Sequence, residues 1–459
     1  MLALAECGSF SPFQEHALRM QNNDAALEIL VRLYNAGDWT RANVVCRDIL
    51  GRDAQQATAL LISGEIALRR GNAKMGISYL QQAVAAPITN KSILTRVVQL
   101  LQGLGDLDAL DTALKALVRI DPQNFNAYLL LGRVKEARGH VQEAVSAYEA
   151  ASAILPGHAG PDTARALLLL RQTWGDPPPS NSEKRQRSRL SGHVAMTTLG
   201  QNGRFGNQLF QYCFLRIYGE IHNLRVEVPD WVGRWLFDLN DPYPGLPLPR
   251  LETTVPQIAA ALDPDSAPTL SGHDLFGYGQ CHTRHFRTHQ ARFRALLRPG
   301  VRVRGPVTRA FERLRSHGQT IVAIHLRRGD YTGGEFSWPA PSNWYIQWLE
   351  AVWDDLKNPV LYLASDDPNA STEFSSFTPI IAKDLNEKIP GAEMYLDFYI
   401  LTQADLLAIS NSTFSMAAAM LNENAREFVR PHPIERRLLS FDPWDADTML
   451  AAPVAADLA

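Results

Sequence analysis

The 459-residue sequence predicts an all-α array of helical repeats followed by an α/β region with two lobes. Glycines that recur every 34 residues indicate the array, and apolar, β-branched runs alternating with amphipathic segments indicate the α/β region. A segment rich in proline, serine and arginine separates the two. We therefore predict a helical array with a capping helix over 1–171, a linker over 172–193 and an α/β region over 194–459.

Composition limits the classes of protein to which the chain can belong. Hydrophobic residues make up 46% and charged residues 20%, as in ordinary globular domains, and the net charge of −3 does not favour a nucleic-acid binder. We find no signal-peptide pattern at the N-terminus and no apolar run of about 18 residues that could span a membrane. We expect a protein of the cytoplasm, or one peripheral to the inner membrane, with four free thiols: Cys7, Cys46, Cys213 and Cys281.

The repeat is defined by the positions of glycine and proline. Four glycines are spaced 34 residues apart: Gly37, Gly71, Gly105 and Gly139. Glycine suits the turn after the first helix of a hairpin, where φ is positive, and proline ends the second helix. Pro122 and Pro156 keep the same spacing. Over 22–158 this pattern resembles the tetratricopeptide repeat, and we expect the apolar segment Ala164–Leu170 to form a capping helix.

The roles of the array and the linker stay open at this level. The array is either a spacer or dimerisation element, or a groove that holds a peptide or presents an acceptor. Pro177–Pro179 favour an extended chain. The basic residues that follow fit a solvated linker better than an anionic-surface contact: Lys184, Arg185, Arg187 and Arg189.

In the α/β region, strand-like runs end in polar motifs. The first run, Val194–Leu199, leads through a glycine-rich turn into a helix. Other predicted strands are Arg225–Val228, Thr320–Leu326, Val360–Ala364, Pro379–Ala382 and Leu406–Ser410. Predicted helices are Asn207–His222, Asn343–Trp353 and Phe414–Leu421, whereas 229–300 shows few clean periods. Because ligands of such sheets bind beyond the carboxyl ends of the strands, the polar residues there are the candidate site.

Arginines directly follow the strand over 320–326. A guanidinium at a strand end can pair with the oxygens of a diphosphate leaving group and do what a metal ion does elsewhere. Alternatively, Arg327 and Arg328 pair with carboxylates such as Asp330. Ser412 and Thr413 stand at a helix start, where they either bind phosphate or cap the helix.

Two aspartate pairs are further candidates. Asp366 and Asp367 end the strand over 360–364, where a carboxylate either accepts hydrogen bonds from guanine N–H groups or caps the next helix. Asp445 and Asp447 have the spacing of a metal-binding DxD, but they lie in the C-terminal tail and we expect no metal there. The glycine turn at 203–206 matches neither a P-loop nor a dinucleotide fingerprint.

Four strings together resemble a known family: GRFGNQLFQY at 203–212, HLRRGDY at 325–331, LASDD at 363–367 and ISNSTFS at 409–415. They are similar to the α-1,2-fucosyltransferases of glycosyltransferase family 11, and to the wider group with α-1,6- and protein O-fucosyltransferases. The resemblance covers roughly 195–435. It implies a GT-B fold of two Rossmann-type lobes, GDP-fucose as donor, inversion at the anomeric carbon, and no metal or other cofactor.

The resemblance also implies roles for individual residues. His325 and Arg327 would contact the nucleotide and its β-phosphate, with Arg327 as a catalytic residue. Glu335 would be the second catalytic residue, as base, because it lies ten residues after His325 as in the α-1,6 relatives. Met416 and Ala417 stand where the family has tryptophans, which affects the acceptor side. The remaining donor-binding residues would be Arg204, Gly206, Asn207, Asp366, Asp367, Ser412 and Thr413.

We therefore expect an inverting fucosyltransferase, of the galactoside α-1,2 type, acting on a glycan or glycoconjugate. A protein O-fucosyltransferase, or a transferase of another sugar guided by the repeats, is an alternative. A third interpretation is a non-catalytic scaffold with an inactive transferase fold, against which the intact His325, Arg327 and Asp366 argue. A protein partner on the array fits each of these, and no nucleic-acid partner is expected.

Overall fold

The computed structural model describes residues 12–87, 90–177, 179, 190–331 and 333–452, and within these ranges the side chains from residue 24 onward. Cys7 and the basic residues of the expected linker lie outside the described residues. The chain divides into two compact units, Met1–Leu155 and Pro156–Ala459. Each described helix is too short or too polar to cross a lipid bilayer.

The first unit consists of helical hairpins, which confirms the helical-repeat prediction. Its helices are α1 (Pro12–Asn35), α2 (Trp39–Arg52), α3 (Ala57–Arg69), α4 (Ala73–Ala85), α5 (Lys91–Leu104), α6 (Leu107–Ile120), α7 (Phe125–Ala137) and α8 (Val141–Ile154). The four predicted glycines join the two helices of each hairpin with φ between 73° and 77°. Pro122 and Pro156 follow the ends of α6 and α8, because proline cannot continue a helix.

Three of the four hairpin turns are followed by a residue whose side chain caps the second helix. Asp38, Asn72 and Asp106 each accept a hydrogen bond from a backbone N–H three residues later, which satisfies a donor that the helix itself cannot pair. His140, at the same place before α8, makes no side-chain cap. In three repeats the 34-residue period therefore places both a glycine turn and a capping residue directly after it.

The second unit is an α/β structure with two sheets. Its helices are α9 (Ala159–Trp174), α10 (Phe205–Ile221), α11 (Gly233–Leu236), α12 (Val255–Ala261), α13 (Gln290–Leu296), α14 (Val301–Arg315), α15 (Ser342–Val352), α16 (Ala370–Glu373), α17 (Met394–Leu401) and α18 (Thr413–Leu421). Its strands are β1 (Gly192–Ala195), β2 (Leu224–Glu227), β3 (Arg250–Glu252), β4 (Asp274–Phe276), β5 (Thr320–Leu326), β6 (Pro359–Ser365), β7 (Leu406–Ala408), β8 (Glu427–His432) and β9 (Arg437–Ser440).

The second unit contains one four-stranded and one five-stranded sheet, both largely parallel. In the first, β2-β1-β4-β3, all pairings are parallel. In the second, β6-β5-β7-β8-β9, the pairings are parallel except that between β8 and β9. Strand β5 pairs with both β6 and β7 and is buried along its whole length. The polar residues that follow β5, β6 and β7 therefore meet at one edge.

Helix α9 belongs to the second unit, whereas the sequence suggested that its core, Ala164–Leu170, caps the array. Ala166 and Leu170 are 6% and 0% exposed and pack in the same core as the two sheets. Arg171 pairs with Asp230 at 2.5 Å, and the Trp235 indole N–H donates to the Gly175 carbonyl at 3.0 Å. The compact unit accordingly begins at Pro156 rather than at the linker.

Two other expectations differ from the structure. Pro379–Ala382 forms no strand, and its pairing is a single bridge between Ile380 and Tyr362. Met416 and Ala417, which were expected to affect an acceptor side, are fully buried in α18 and pack in the core.

Candidate functional site

A cleft of about 840 Å³ lies where the strand ends of both sheets converge, a volume in the usual range for ligand sites. Segments that follow β1, β5, β6 and β7 line it, and helices α9 and α17 add side chains. The structure brings together in this cleft most of the residues predicted from the sequence: Arg204, Gly206, Asn207, His325, Arg327, Glu335, Asp366, Ser412 and Thr413.

Arg327 lies directly beyond β5 and is held by two carboxylates. Its Nη2 lies 2.5 Å from Asp330 Oδ1 and its Nη1 lies 2.9 Å from Asp366 Oδ2. Its guanidinium also lies 5.6 Å from the centre of the Tyr331 ring. These contacts fix a planar cation, whose side chain is 16% exposed, at the wall of the cleft.

Arg204, which follows a strand of the first sheet, also pairs with Asp330. It follows the turn after β1, where Gly203 has a φ of 77°, and its Nη2 lies 3.6 Å from Asp330 Oδ2. The Arg204 Nε is buried without a hydrogen-bond partner among the described residues. Asp330 therefore joins a cation from each sheet, as its interpretation as a partner of the arginines requires.

His325 is the next-to-last residue of β5, and its side chain lines the cleft. Its Nδ1 lies 2.7 Å from Ser410 Oγ, and its ring lies 5.0 Å from that of Phe414. Burial, with the nearby Arg327 cation, lowers the pKa of His325 to about 3 despite the opposing effect of Asp366. The imidazole is consequently neutral at physiological pH and lines the cleft as a hydrogen-bonding group rather than a cation.

The starts of α10 and α18 meet at Gly206. A Cβ on Gly206 would lie 2.6 Å from Phe414 Cα, so only glycine allows this approach. Asn207 Oδ1 accepts hydrogen bonds from Thr413 Oγ1 and Gln280 Nε2, both at 2.8 Å. Gly206 and Asn207 therefore join the start of α10, which follows the first sheet, to the start of α18, which follows the second. The positive N-terminal ends of both helices converge on the cleft.

Ser412 is the N-cap of α18. Its Oγ accepts a hydrogen bond from the Phe414 N–H at 3.3 Å. Ser412 and Thr413 both line the cleft, at 6% exposure each. The structure therefore shows the capping role of Ser412 and the bonding of Thr413 to Asn207, and both residues remain at the cleft wall.

The two aspartates after β6 point to different places. Asp366 lines the cleft, pairs with Arg327 and accepts the Arg328 backbone N–H at 2.8 Å. Asp367 does not line the cleft: it accepts the Asn369 N–H at 2.9 Å and lies 3.2 Å from Arg328. These bonds lower the Asp367 pKa. In this structure Asp367 therefore stabilises the turn after β6, and Asp366 is the one of the two aspartates that faces the cleft.

Glu335 lies on the exposed loop after β5 and lines the cleft. The C-terminal segment of the described chain, residues 446–452, holds this loop in place. The Ala452 N–H donates to the Glu335 carbonyl at 2.5 Å, and the Trp338 indole N–H donates to the Leu450 carbonyl at 2.9 Å. Asn411 ties the same segment down, because its Nδ2 donates to Leu450 O and its Oδ1 accepts from Leu450 N.

Asp397 is a cleft residue that sequence reasoning missed. It lies in α17, lines the cleft and accepts a hydrogen bond from the Tyr362 hydroxyl at 2.5 Å. Burial raises the pKa of Asp397 to about 6. A signal exists in the sequence, where a single carboxylate interrupts the apolar run MYLDFYIL at 394–401.

Carboxylates outnumber cations at this site. Among the described lining residues are three arginines, Arg165, Arg204 and Arg327, and six acids: Asp162, Asp330, Glu335, Asp366, Glu393 and Asp397. An anionic ligand would therefore have to replace Asp330 and Asp366 as partners of Arg204 and Arg327. Within the described ranges, no three His, Cys, Asp or Glu side chains form a metal-binding group. Asp445 instead lies 3.2 Å from Arg284.

Comparison with known proteins gives fold-level likenesses alone. No family model matches the chain, and no curated protein matches it. Similar solved structures include a MamA protein (21% identity over 34% of this chain and 84% of that one, TM-score 0.28). Others are YrrB, described as a TPR protein with an unusual peptide-binding site (20%, 34% and 80%, TM-score 0.27), and MamA of Desulfovibrio magneticus RS-1 (14%, 33% and 86%, TM-score 0.26). At such TM-scores these likenesses add nothing to what the helix pairs themselves show.

Proposed function

We propose that the second unit is a glycosyltransferase of the GT-B type that transfers fucose from GDP-fucose to a hydroxyl of a glycan, with inversion and without a metal ion. The observation that carries this proposal is the pair of arginines, one from each sheet, that share Asp330 at the cleft. Two guanidinium groups about one anion are suited to a diphosphate, whose oxygens would replace the Asp330 carboxylate.

The helix starts add to the attraction for phosphate. The first turns of α10 and α18 converge at Gly206 and Phe414, and each carries a partial positive charge at its N-terminal end. Ser412 and Thr413 place hydroxyl groups at the same wall. These features support binding of the donor phosphates there, with Asp366 and the neutral His325 available to the nucleoside.

In the proposed reaction, an oxygen lone pair of the acceptor hydroxyl attacks the anomeric carbon of fucose. The bond from that carbon to the β-phosphate oxygen breaks, and its electrons leave with GDP. Arg327 and Arg204 stabilise the growing charge on the phosphate. The proton of the acceptor hydroxyl passes to a carboxylate, for which Glu335 is the candidate because it lies exposed at the cleft rim.

The test is transfer from GDP-fucose by the purified chain to a library of glycans and peptides, with and without a chelator. We expect a fucosylated glycan and the same rate after chelation. Arg327→Ala should lower kcat/KM by about 10- to 100-fold, the range for lost hydrogen bonds to a charged group. Arg437→Ala is the control, because that side chain is 64% exposed on β9. Full activity of Arg327→Ala, or loss of transfer on chelation, would contradict the proposal.

A further inference from the structure

Helix α9 supplies a wall of the cleft that lies outside all four motifs of the α/β region. Asp162, Arg165 and Ala166 line the cleft. Spacings of three and four residues place these side chains on one face of the helix. The segment that leads from the first unit into the second therefore contributes polar groups to the site.

Contacts along its length anchor α9 to the rest of the second unit. Near its start, Thr163 Oγ1 donates to the Gly200 carbonyl. Near its end, Arg171 pairs with Asp230. In the middle, Gly391 approaches so closely that a Cβ on it would lie 2.5 Å from the Ala166 carbonyl oxygen. Fixed contacts at three levels make α9 a rigid wall, as a specificity-determining surface requires.

The cleft face of α9 carries a carboxylate and a guanidinium close together. Asp162 is exposed, and the Arg165 side chain is 28% exposed, with its Nη2 3.4 Å from Glu393 Oε2. A carboxylate accepts hydrogen bonds and a guanidinium donates several in a plane. Two adjacent hydroxyls on a sugar ring offer the complementary set, since each hydroxyl both donates and accepts.

We propose that Asp162 and Arg165 bind vicinal hydroxyls of a sugar in the cleft and help to determine which sugar the site accepts. This inference rests on the proposed function. The sugar is either the ribose of the donor nucleotide or a ring of the acceptor, because both present vicinal hydroxyls, and the experiment separates the two sources.

The experiment uses the full chain and the variants Asp162→Asn and Arg165→Gln. Calorimetry measures the affinity for GDP and for 2′,3′-dideoxy-GDP, and kinetics give the KM for the glycan that the wild type modifies. If the ribose is bound, both variants lose about tenfold in GDP affinity and nothing in dideoxy-GDP affinity. If the acceptor is bound, GDP affinity is unchanged and the acceptor KM rises about tenfold.

Controls separate a binding role from a structural one. Gln172→Ala changes an exposed residue of the same helix outside the cleft, and is expected to match the wild type. Arg165→Lys keeps the charge that faces Glu393 and should restore part of the affinity, whereas a group needed only for folding would show its effect in the melting temperature instead.

The outcomes distinguish this inference from the proposed function. If the wild type binds GDP and transfers fucose while Asp162→Asn and Arg165→Gln match it in GDP affinity and acceptor KM, the role of α9 is wrong and the proposed function stands. If the wild type binds no GDP, both are overturned.

Discussion

Gly206 is the residue at which the starts of α10 and α18 touch. A Cβ there would lie 2.6 Å from Phe414 Cα and 2.7 Å from the Thr413 carbonyl carbon. Gly206→Ala must push the two helix starts apart, and we expect the free energy of unfolding to fall by about 1–3 kcal/mol. Urea unfolding followed by tryptophan fluorescence measures this. Gly245→Ala is the control, because a Cβ there meets nothing within 4 Å; equal stability of the two variants would contradict the close approach.

His325 is expected to make stability depend on pH. Its pKa in the folded chain is about 3, against about 6.5 in an unfolded chain. Between these values the unfolded chain binds more protons, so the stability linked to His325 is present above about pH 6.5 and is lost as pH falls towards 3. Unfolding curves between pH 7 and pH 4 should therefore show the wild type losing stability faster than His325→Asn. A difference between the two that stays constant with pH would contradict this.

Several of the cleft residues that the sequence predicted come shortly after buried strands. Arg327, Asp366 and Ser412 could be placed together because parallel strands end at a shared edge. The sequence could not predict which of the adjacent Asp366 and Asp367 side chains faces the cleft, because both are aspartates at the end of the same strand. Asp397 was missed because it comes from the interior of a helix, where the 3.6-residue period does not show which neighbour the side chain meets.

At the scale of the element, burial on both faces made β5 predictable with its observed bounds. Strands β3 and β4 have three residues each and are too short to show a period. The packing partner of α9 could not be read from its apolar pattern, because that pattern gives the buried face of a helix but not what covers it. Its contacts in the structure, among them those with Gly200, Asp230 and Trp235, assign it to the second unit.

Helix α9 should be required for the second unit to fold. A chain of residues 156–459 is expected to unfold cooperatively, whereas residues 190–459 should lose the transition or melt at a clearly lower temperature. Removal of α9 exposes the core around the fully buried Leu170 and leaves the Trp235 indole N–H without its acceptor. Circular dichroism against temperature compares the two chains, and equal melting temperatures would contradict this assignment.

Two glycines of the first unit should respond to alanine in opposite directions. A Cβ on Gly132 would lie 2.5 Å from Tyr148 Cδ1, in a ring that is fully buried, so we expect Gly132→Ala to cost about 1–3 kcal/mol. A Cβ on Gly103, in α5, meets nothing within 4 Å, and Gly103→Ala should stabilise the helix by about 0.5–1 kcal/mol. Thermal unfolding of both variants tests the pair; a stabilising Gly132→Ala would show that α7 and α8 are further apart.

At the scale of the whole molecule, the excess of carboxylates around the cleft predicts an unusual response to salt. A basic site loses affinity for an anion as salt screens the attraction. Here the two arginines are already paired with acids, and the six lining carboxylates repel a diphosphate at long range. GDP affinity should therefore stay constant or rise between about 50 and 500 mM NaCl. A steep fall in calorimetric titrations would show that free cations dominate the site.

The C-terminal segment also has a consequence for how ligands enter. Ala446 bonds to Thr283, beyond the first sheet, and Leu450 bonds to Asn411, beyond the second. Because this segment is hydrogen-bonded to residues beyond both sheets, it opposes a hinge motion that would separate the sheets. Under the proposed function, nucleotide would then exchange through local opening of the loop at Glu335 and of residues 446–452, which bond to it. A bulky fusion placed just after residue 452 is then expected to slow product release more than one placed before the first helix.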